Sequence, residues 1–130
     1  MVNILLEEIG NYLQGENIGI LSDSIFLGEL PNEPDNCIAI YEYAGQPPEF
    51  GYGVEIDKPG LQIRVRNISY PDGRQKIQDI QNVLHKCRNI TLSGTHYTSI
   101  FAIQGITPLG QDGNNRIEFV QNFKIIKERG

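Results

Sequence analysis

Few residues in this chain could carry acid–base or metal chemistry. Its only histidines are His85 and His96. A general base needs a partner within hydrogen-bond reach and usually a third group that orients it. Neither histidine stands at a spacing typical of such a pair or of metal ligands, and His96 with Asp112 and Arg116 forms the one enzyme alternative. We therefore predict a non-enzymatic protein with no catalytic, cofactor-binding or metal-binding residue.

The cysteines and the adjacent acids have ordinary structural explanations. Cys37 falls in a predicted strand and Cys87 on the apolar stripe of a predicted helix, which favours two buried reduced thiols. A disulfide between them is the alternative. Glu7 and Glu8 are neighbours near the start of a predicted helix, and we expect both carboxylates to be solvated.

Two arginines give a sharper signal. Residues 61–66 alternate apolar and polar side chains, which predicts a strand with one inward and one outward face. Arg64 and Arg66 are then both expected on the outward face. They could pair with Glu42 or Glu118 on neighbouring strands, where an exposed ion pair contributes only about 0.2–1 kcal/mol. Alternatively they contact acids of another subunit, since arginine is enriched at interfaces.

The segment 44–60 interleaves apolar side chains with prolines and glycines, and we predict a long loop there. Phe50, Tyr52 and Val54 are its apolar residues of interest. Either the loop packs on its own domain, or it is an arm that orders against a neighbouring subunit. Together with Arg64 and Arg66, these three residues are the candidate subunit interface.

The remaining patterns supply the elements that position these residues. We predict helices over residues 2–14 and from about residue 70, the second with Ile77, Ile80, Leu84 and Cys87 on one face and Ser69 as its cap. We predict strands at 24–27, 37–43, 61–66, 95–104 and 116–126, with a turn at 108–115. The order favours an α+β fold: a mostly antiparallel sheet of four to five strands with both helices packed on one face.

Length and composition fit one domain over residues 1–130. The net charge of −5 argues against a nucleic-acid-binding domain, which normally has a basic face. No apolar stretch approaches the roughly 20 residues that span a bilayer, so we expect neither a signal peptide nor membrane association.

Three motifs, in order, resemble phage minor capsid proteins of the tail-terminator class, the tail-to-head joining family. Leu30-Pro31 with residues 34–38 is similar to the stretch that leads into that family's first long strand. Residues 61–66 resemble a strand that the family follows with a tyrosine and a helix. The third motif resembles the closing hairpin of that family and consists of Leu109, Gly110, Gln111 and Asp112 with Arg116, Glu118, Asn122 and Phe123.

The resemblance implies a virion structural protein at the head–tail junction of a tailed phage. Such a protein caps the tail tube as a ring, usually a hexamer, and joins it to the head connector proteins. DNA passes through the ring without specific binding, and the isolated protein is expected to be a monomer or the same homo-oligomer. Assembly in the bacterial host cytoplasm, from a phage or prophage gene, is the expected setting. The alternative function is a small ligand-binding α+β regulatory domain.

Overall fold

The computed structural model describes residues 4–51, 54–85 and 87–128, with the backbone alone at residues 51 and 54. Along these residues the elements follow in the order α1 (Leu5–Gly15), β1 (Ile25–Leu27), β2 (Cys37–Gly51), β3 (Val54–Asn67), α2 (Tyr70–Leu84), β4 (Arg88–Leu92), β5 (Thr95–Ala102), β6 (Thr107–Gln111) and β7 (Ile117–Glu128).

The sheet is larger than predicted. Its strand order is β1-β2-β3-β7-β5-β4, and β6 pairs with β7 beside this path, which gives seven strands. β1 runs parallel to β2, whereas the other pairs are antiparallel. The α+β class is confirmed, and β3 is central as predicted. The predicted count of four to five strands in a mostly antiparallel sheet is too small, and the sheet is mixed because β1 runs parallel to β2.

Two of the strands left no apolar alternation in the sequence. β4 is short and mostly exposed, and every residue of β6 is exposed. β6 also contains Pro108 and Gly110, residues that are depleted in strands and that we assigned to the turn. Its pairing with β7 forms the strand, and the turn is confined to the residues that follow Gln111.

The predicted loop at 44–60 is wrong, because its described residues belong to β2, which extends to Gly51, and to β3, which begins at Val54. The two strands pair antiparallel, and we call them the β2–β3 hairpin. The pairing slips between Tyr43 and Gln46 and again between Gln46 and Glu49. Pro47 and Pro48 fall within the second slip, on the stretch of β2 beyond its pairing with β1. Proline is tolerated there because a bulged edge strand needs no donor at every position.

Both helices pack against the same apolar face of the sheet, as predicted. Leu61, Ile63 and Val65 are at most 1% exposed and belong to one core with the buried residues of α1 and α2. The hydroxyl of Ser69 accepts the N–H of Asp72 at 3.4 Å, so the predicted cap of α2 is present.

The first helix is shorter than predicted, since α1 begins at Leu5 and has no side-chain cap at Ile4. The predicted cap, Asn3, lies outside the described residues. Gly10 lets α1 pack closely against Leu21, because a Cβ at residue 10 would lie 2.8 Å from a methyl group of Leu21. Glycine in this helix therefore serves packing, at the expense of helix propensity.

Candidate subunit interface

The two candidate arginines on β3 have different surroundings. Arg66 is 3% exposed, and its guanidinium donates to the carbonyl oxygens of Pro34 at 2.7 Å and Asp35 at 3.1 Å. The loop between β1 and β2 therefore covers it. Arg66 lies on the sheet face away from the helices, as its alternation with Val65 predicts, but the loop covers it there. Its place in a subunit interface stays a prediction.

A second buried arginine holds the same loop. Arg116 is 5% exposed; its guanidinium donates to Asn32 and lies 3.5 Å from the carboxylate of Asp35. Its Nε also donates to Asp112 at 2.8 Å. Arg66 thus holds the loop against β3, and Arg116 holds it against the start of β7. We call these two arginines, together with Asn32, Asp35 and Asp112, the arginine latch.

Asp112 also organises the turn between β6 and β7. Its carboxylate accepts the backbone N–H groups of Asn114 at 2.9 Å and Arg116 at 3.0 Å. The Arg116 N–H, followed by that of Asn114 and by the Arg116 guanidinium, holds the pKa of Asp112 below its ordinary value. The motif residues at 34–35, 66, 112 and 116 therefore meet in one structural cluster.

Arg64 lies on the same sheet face, away from the helices, and its side chain is 35% exposed. Its guanidinium is 3.6 Å from the Glu118 carboxylate and 6.0 Å from the ring centre of Tyr41. Its Nε donates to Gln62 at 3.1 Å, and Gln62 donates to Asn122 at 3.0 Å. The intrachain ion pair with Glu118 is therefore present, within an ordered polar row that faces outward.

The apolar candidates lie at the outer end of the β2–β3 hairpin. Phe50 is 75% exposed and pairs with Glu55 across the hairpin. Val54 pairs with Gly51 through the backbone, and Tyr52 lies outside the described residues. Arg64 is nine residues beyond Glu55 on β3, roughly 30 Å along the strand. The structure therefore separates the hairpin end from the arginine row.

Two surface clefts flank the base of this hairpin. One of about 390 Å³ lies on the helix side, where Ile4 and Leu5 approach Asp57 and Lys127. The other, of about 280 Å³, is lined mainly by apolar groups that include Tyr43, Gly60, Pro59, Ile103 and Phe123, with Lys58 and Lys124 at its rim. Sequence reasoning missed the second cleft, because only the strand register places Tyr43 opposite Gly60.

The residues of the enzyme alternative are not brought together. Asp112 and Arg116 precede β7, whereas His96 lies on β5 next to Tyr97, which pairs with Lys127 near the end of β7. His85 accepts the backbone N–H of Ala102 at 2.9 Å. Within residues 4–51, 54–85 and 87–128, no group of three His, Cys, Asp or Glu side chains could hold a metal ion.

The remaining candidates for chemistry have structural roles. Cys37 and Cys87 are free and buried, as predicted. Glu8 corrects the expectation of a solvated acid: it is 2% exposed and accepts the hydroxyls of Thr95 and Tyr97, each at 2.6 Å. Burial, together with the bond to Glu8, raises the pKa of Tyr97. None of the described helices is long and apolar enough to cross a bilayer.

The chain has an α+β fold in which a curled, mixed sheet carries both helices on one face. A solved structure has a similar overall fold. A chain of a structure titled "Virion of native gene transfer agent (GTA) particle" superposes with a TM-score of 0.67, at 9% sequence identity, over 95% of this chain and 94% of that chain. At this identity the likeness shows a common fold.

Comparison of the sequence with known protein families identifies the family of this chain. Residues 12–129 match the family described as bacteriophage tail terminator protein, and the chain therefore belongs to that family. No curated protein matches the chain. The predicted resemblance is confirmed, and the protein is a structural protein of phage tails.

Proposed function

We propose that this protein ends the tail tube at the head–tail junction and joins it to the head connector. The observation that carries the proposal is the family match over residues 12–129, which includes both the hairpin and the arginine latch. The described residues add a sheet with one open face and a hairpin with an exposed aromatic end. These are features that a protein of this size can present to neighbouring subunits.

The protein acts as a ring, for which six copies are the expected number. A ring requires a heterologous interface, in which one patch contacts a different patch on the next copy. The hairpin end with Phe50 supplies one such patch, and Tyr52 and Val54 are assigned to it from the sequence alone. The polar row around Arg64 on the open sheet face supplies another, where an arginine already held by Glu118 is positioned for contact.

DNA passes through the ring without specific binding. The chain carries a net charge of −5, and an acidic channel repels phosphate and limits DNA adhesion. The ring assembles in the cytoplasm of the bacterial host, from a phage or prophage gene, and remains in the virion between the tail tube and the connector.

The test is to mix the purified protein with purified tail tubes of the same phage and to image the tube ends by electron microscopy. We expect a ring-shaped cap at one end of most tubes. Tubes whose two ends stay identical to those of untreated tubes at saturating protein would contradict the proposal.

A further inference from the structure

We propose that the apolar cleft beside Tyr43 and Gly60 receives the Phe50 side chain of a second copy of this chain. Each copy would then insert its own Phe50 into one neighbour and accept the Phe50 of another. The inference rests on the proposed ring, and it names the contact that joins consecutive subunits.

The cleft has mainly apolar walls and room for a phenyl group. The Tyr43 ring lies over Gly60, so closely that a Cβ on Gly60 would fall 2.3 Å from a ring atom. Ile103 forms another wall and is 51% exposed, although it is a large apolar residue. The cleft volume of about 280 Å³ exceeds the ~150 Å³ of an apolar cavity that holds benzene. A phenyl group therefore fits.

Phe50 is an apolar residue that is largely exposed to solvent in its own chain. Its side chain is 75% exposed at the outer end of the hairpin. The strand register sets it opposite Glu55, whereas the cleft is lined by β3 from Lys58 to Gly60, roughly 10–16 Å further along the strand. Because the antiparallel pairing of β2 with β3 keeps this separation, Phe50 lies away from the cleft of its own chain.

The charges beside the two features are complementary. Lys124 stands at the cleft rim, and among the described residues no carboxylate lies within 4.0 Å of its ammonium group. Glu49 precedes Phe50, and its side chain remains 65% exposed although it pairs with Lys58 of the same chain. An inserted Phe50 would carry this acid toward the Lys124 of the receiving copy, which favours the head-to-tail orientation.

A projecting group and a cleft at different places on one surface make a heterologous contact. Such contacts repeat from copy to copy and form a ring when the rotation closes. The second copy is therefore the occupant that these observations favour, and no other protein is required to complete the cleft.

The contact is tested by cross-linking. The variant F50C/I103C is treated with a short bismaleimide, both on tail tubes and at high concentration in free solution. We expect a ladder of covalent multimers that ends at the ring size. Cys37 and Cys87 are 4% and 5% exposed and should not react in the folded protein.

The matched control is F50C/I68C. Ile68 is 58% exposed but lies about 26 Å from Gly60 along β3, and we expect no ladder from this variant. Equal ladders from both variants, or none from F50C/I103C in either setting, would overturn the Phe50 contact. If wild-type protein fails to cap tubes, the proposed function fails, while cross-linking in solution still decides the contact.

A second measurement uses F50A, which removes the inserted group and leaves the cleft intact. We expect roughly ten- to hundred-fold weaker self-association by sedimentation or weaker capping, as for an interface hot spot. Unchanged association and capping by F50A would count against the contact, with I68A as the control for loss of an exposed apolar side chain.

Discussion

Arg64 and Arg66 stand two residues apart on the same strand, and their surroundings differ in kind. Arg64 is half-exposed beside Glu118, whereas Arg66 is covered by the loop between β1 and β2. An exposed ion pair contributes little because water screens it. A buried guanidinium that satisfies several carbonyl groups contributes more, since its loss leaves those groups unpaired.

This contrast predicts that Arg116 is a stability residue and Arg64 is not. R116A should lower the free energy of unfolding by about 1–3 kcal/mol, because the partners in Asn32, Asp35 and Asp112 lose their buried donor. R64A, the matched control, should change it by less than about 1 kcal/mol. Urea denaturation measures both, and similar losses in the two variants would contradict the arginine latch.

The latch also predicts a dependence on pH. The backbone N–H and guanidinium of Arg116 keep the pKa of Asp112 below its ordinary value of 3.8. The ionised carboxylate therefore stabilises the folded state above pH 3.8, and this contribution is lost as the pH falls through the lowered pKa.

D112N should accordingly be less stable than wild type by a constant amount above about pH 5, and the difference should shrink below the ordinary aspartate pKa. Urea titrations across this range measure it. A difference that stays constant to the lowest pH at which both proteins fold would contradict the role of the Asp112 charge.

For single residues, the sequence predicted which side chains of a strand are buried in the core but not which distant residues they contact. The alternation of 61–66 correctly placed Leu61, Ile63 and Val65 in the core. It could not show that the loop from β1 to β2 folds over Arg66, or that Glu8 is buried against Tyr97, because both contacts join residues far apart in the chain.

Among the elements, the β2–β3 hairpin departs most from what the sequence indicates. Prolines and glycines between 44 and 60 are typical of a loop. The structure accommodates them in two register slips and at close approaches of the backbone, so the ladder continues to Gly51 and Val54. The prolines and glycines predicted that regular pairing would be interrupted here. The pairing of β3 with β7 nevertheless keeps β3 extended.

Gly45 should be indispensable to this hairpin. A Cβ at Gly45 would lie 2.0 Å from the carbonyl oxygen of Lys58, so G45A must displace one strand. We expect a loss of about 1–3 kcal/mol in unfolding free energy and faster amide exchange at 43–60. At Gly15 an added Cβ would meet no described heavy atom within 4 Å apart from its chain neighbours and the backbone of its own helix, and G15A serves as the control. Unaltered exchange in G45A would show that the hairpin is held differently.

For the whole molecule, the α+β fold class could be predicted from the sequence, whereas the number of strands in the sheet could not. Apolar periodicity identified both helices and the long inner strands, since their buried faces repeat with a clear period. β4 and β6 complete the sheet through backbone pairing while their side chains remain largely exposed, so no such period marks them. The family match extends from residue 12 to residue 129, a range that contains both the hairpin and the latch.

Arrest of tail-tube growth tests the central claim most directly. Tubes of the same phage are incubated with excess tube subunits, with or without this protein, and their lengths are measured by electron microscopy. The account predicts that tubes treated with the protein stop elongating while untreated tubes grow, and that heat-unfolded protein has no effect. Equal growth with and without folded protein, at concentrations that saturate binding to tube ends, would contradict it.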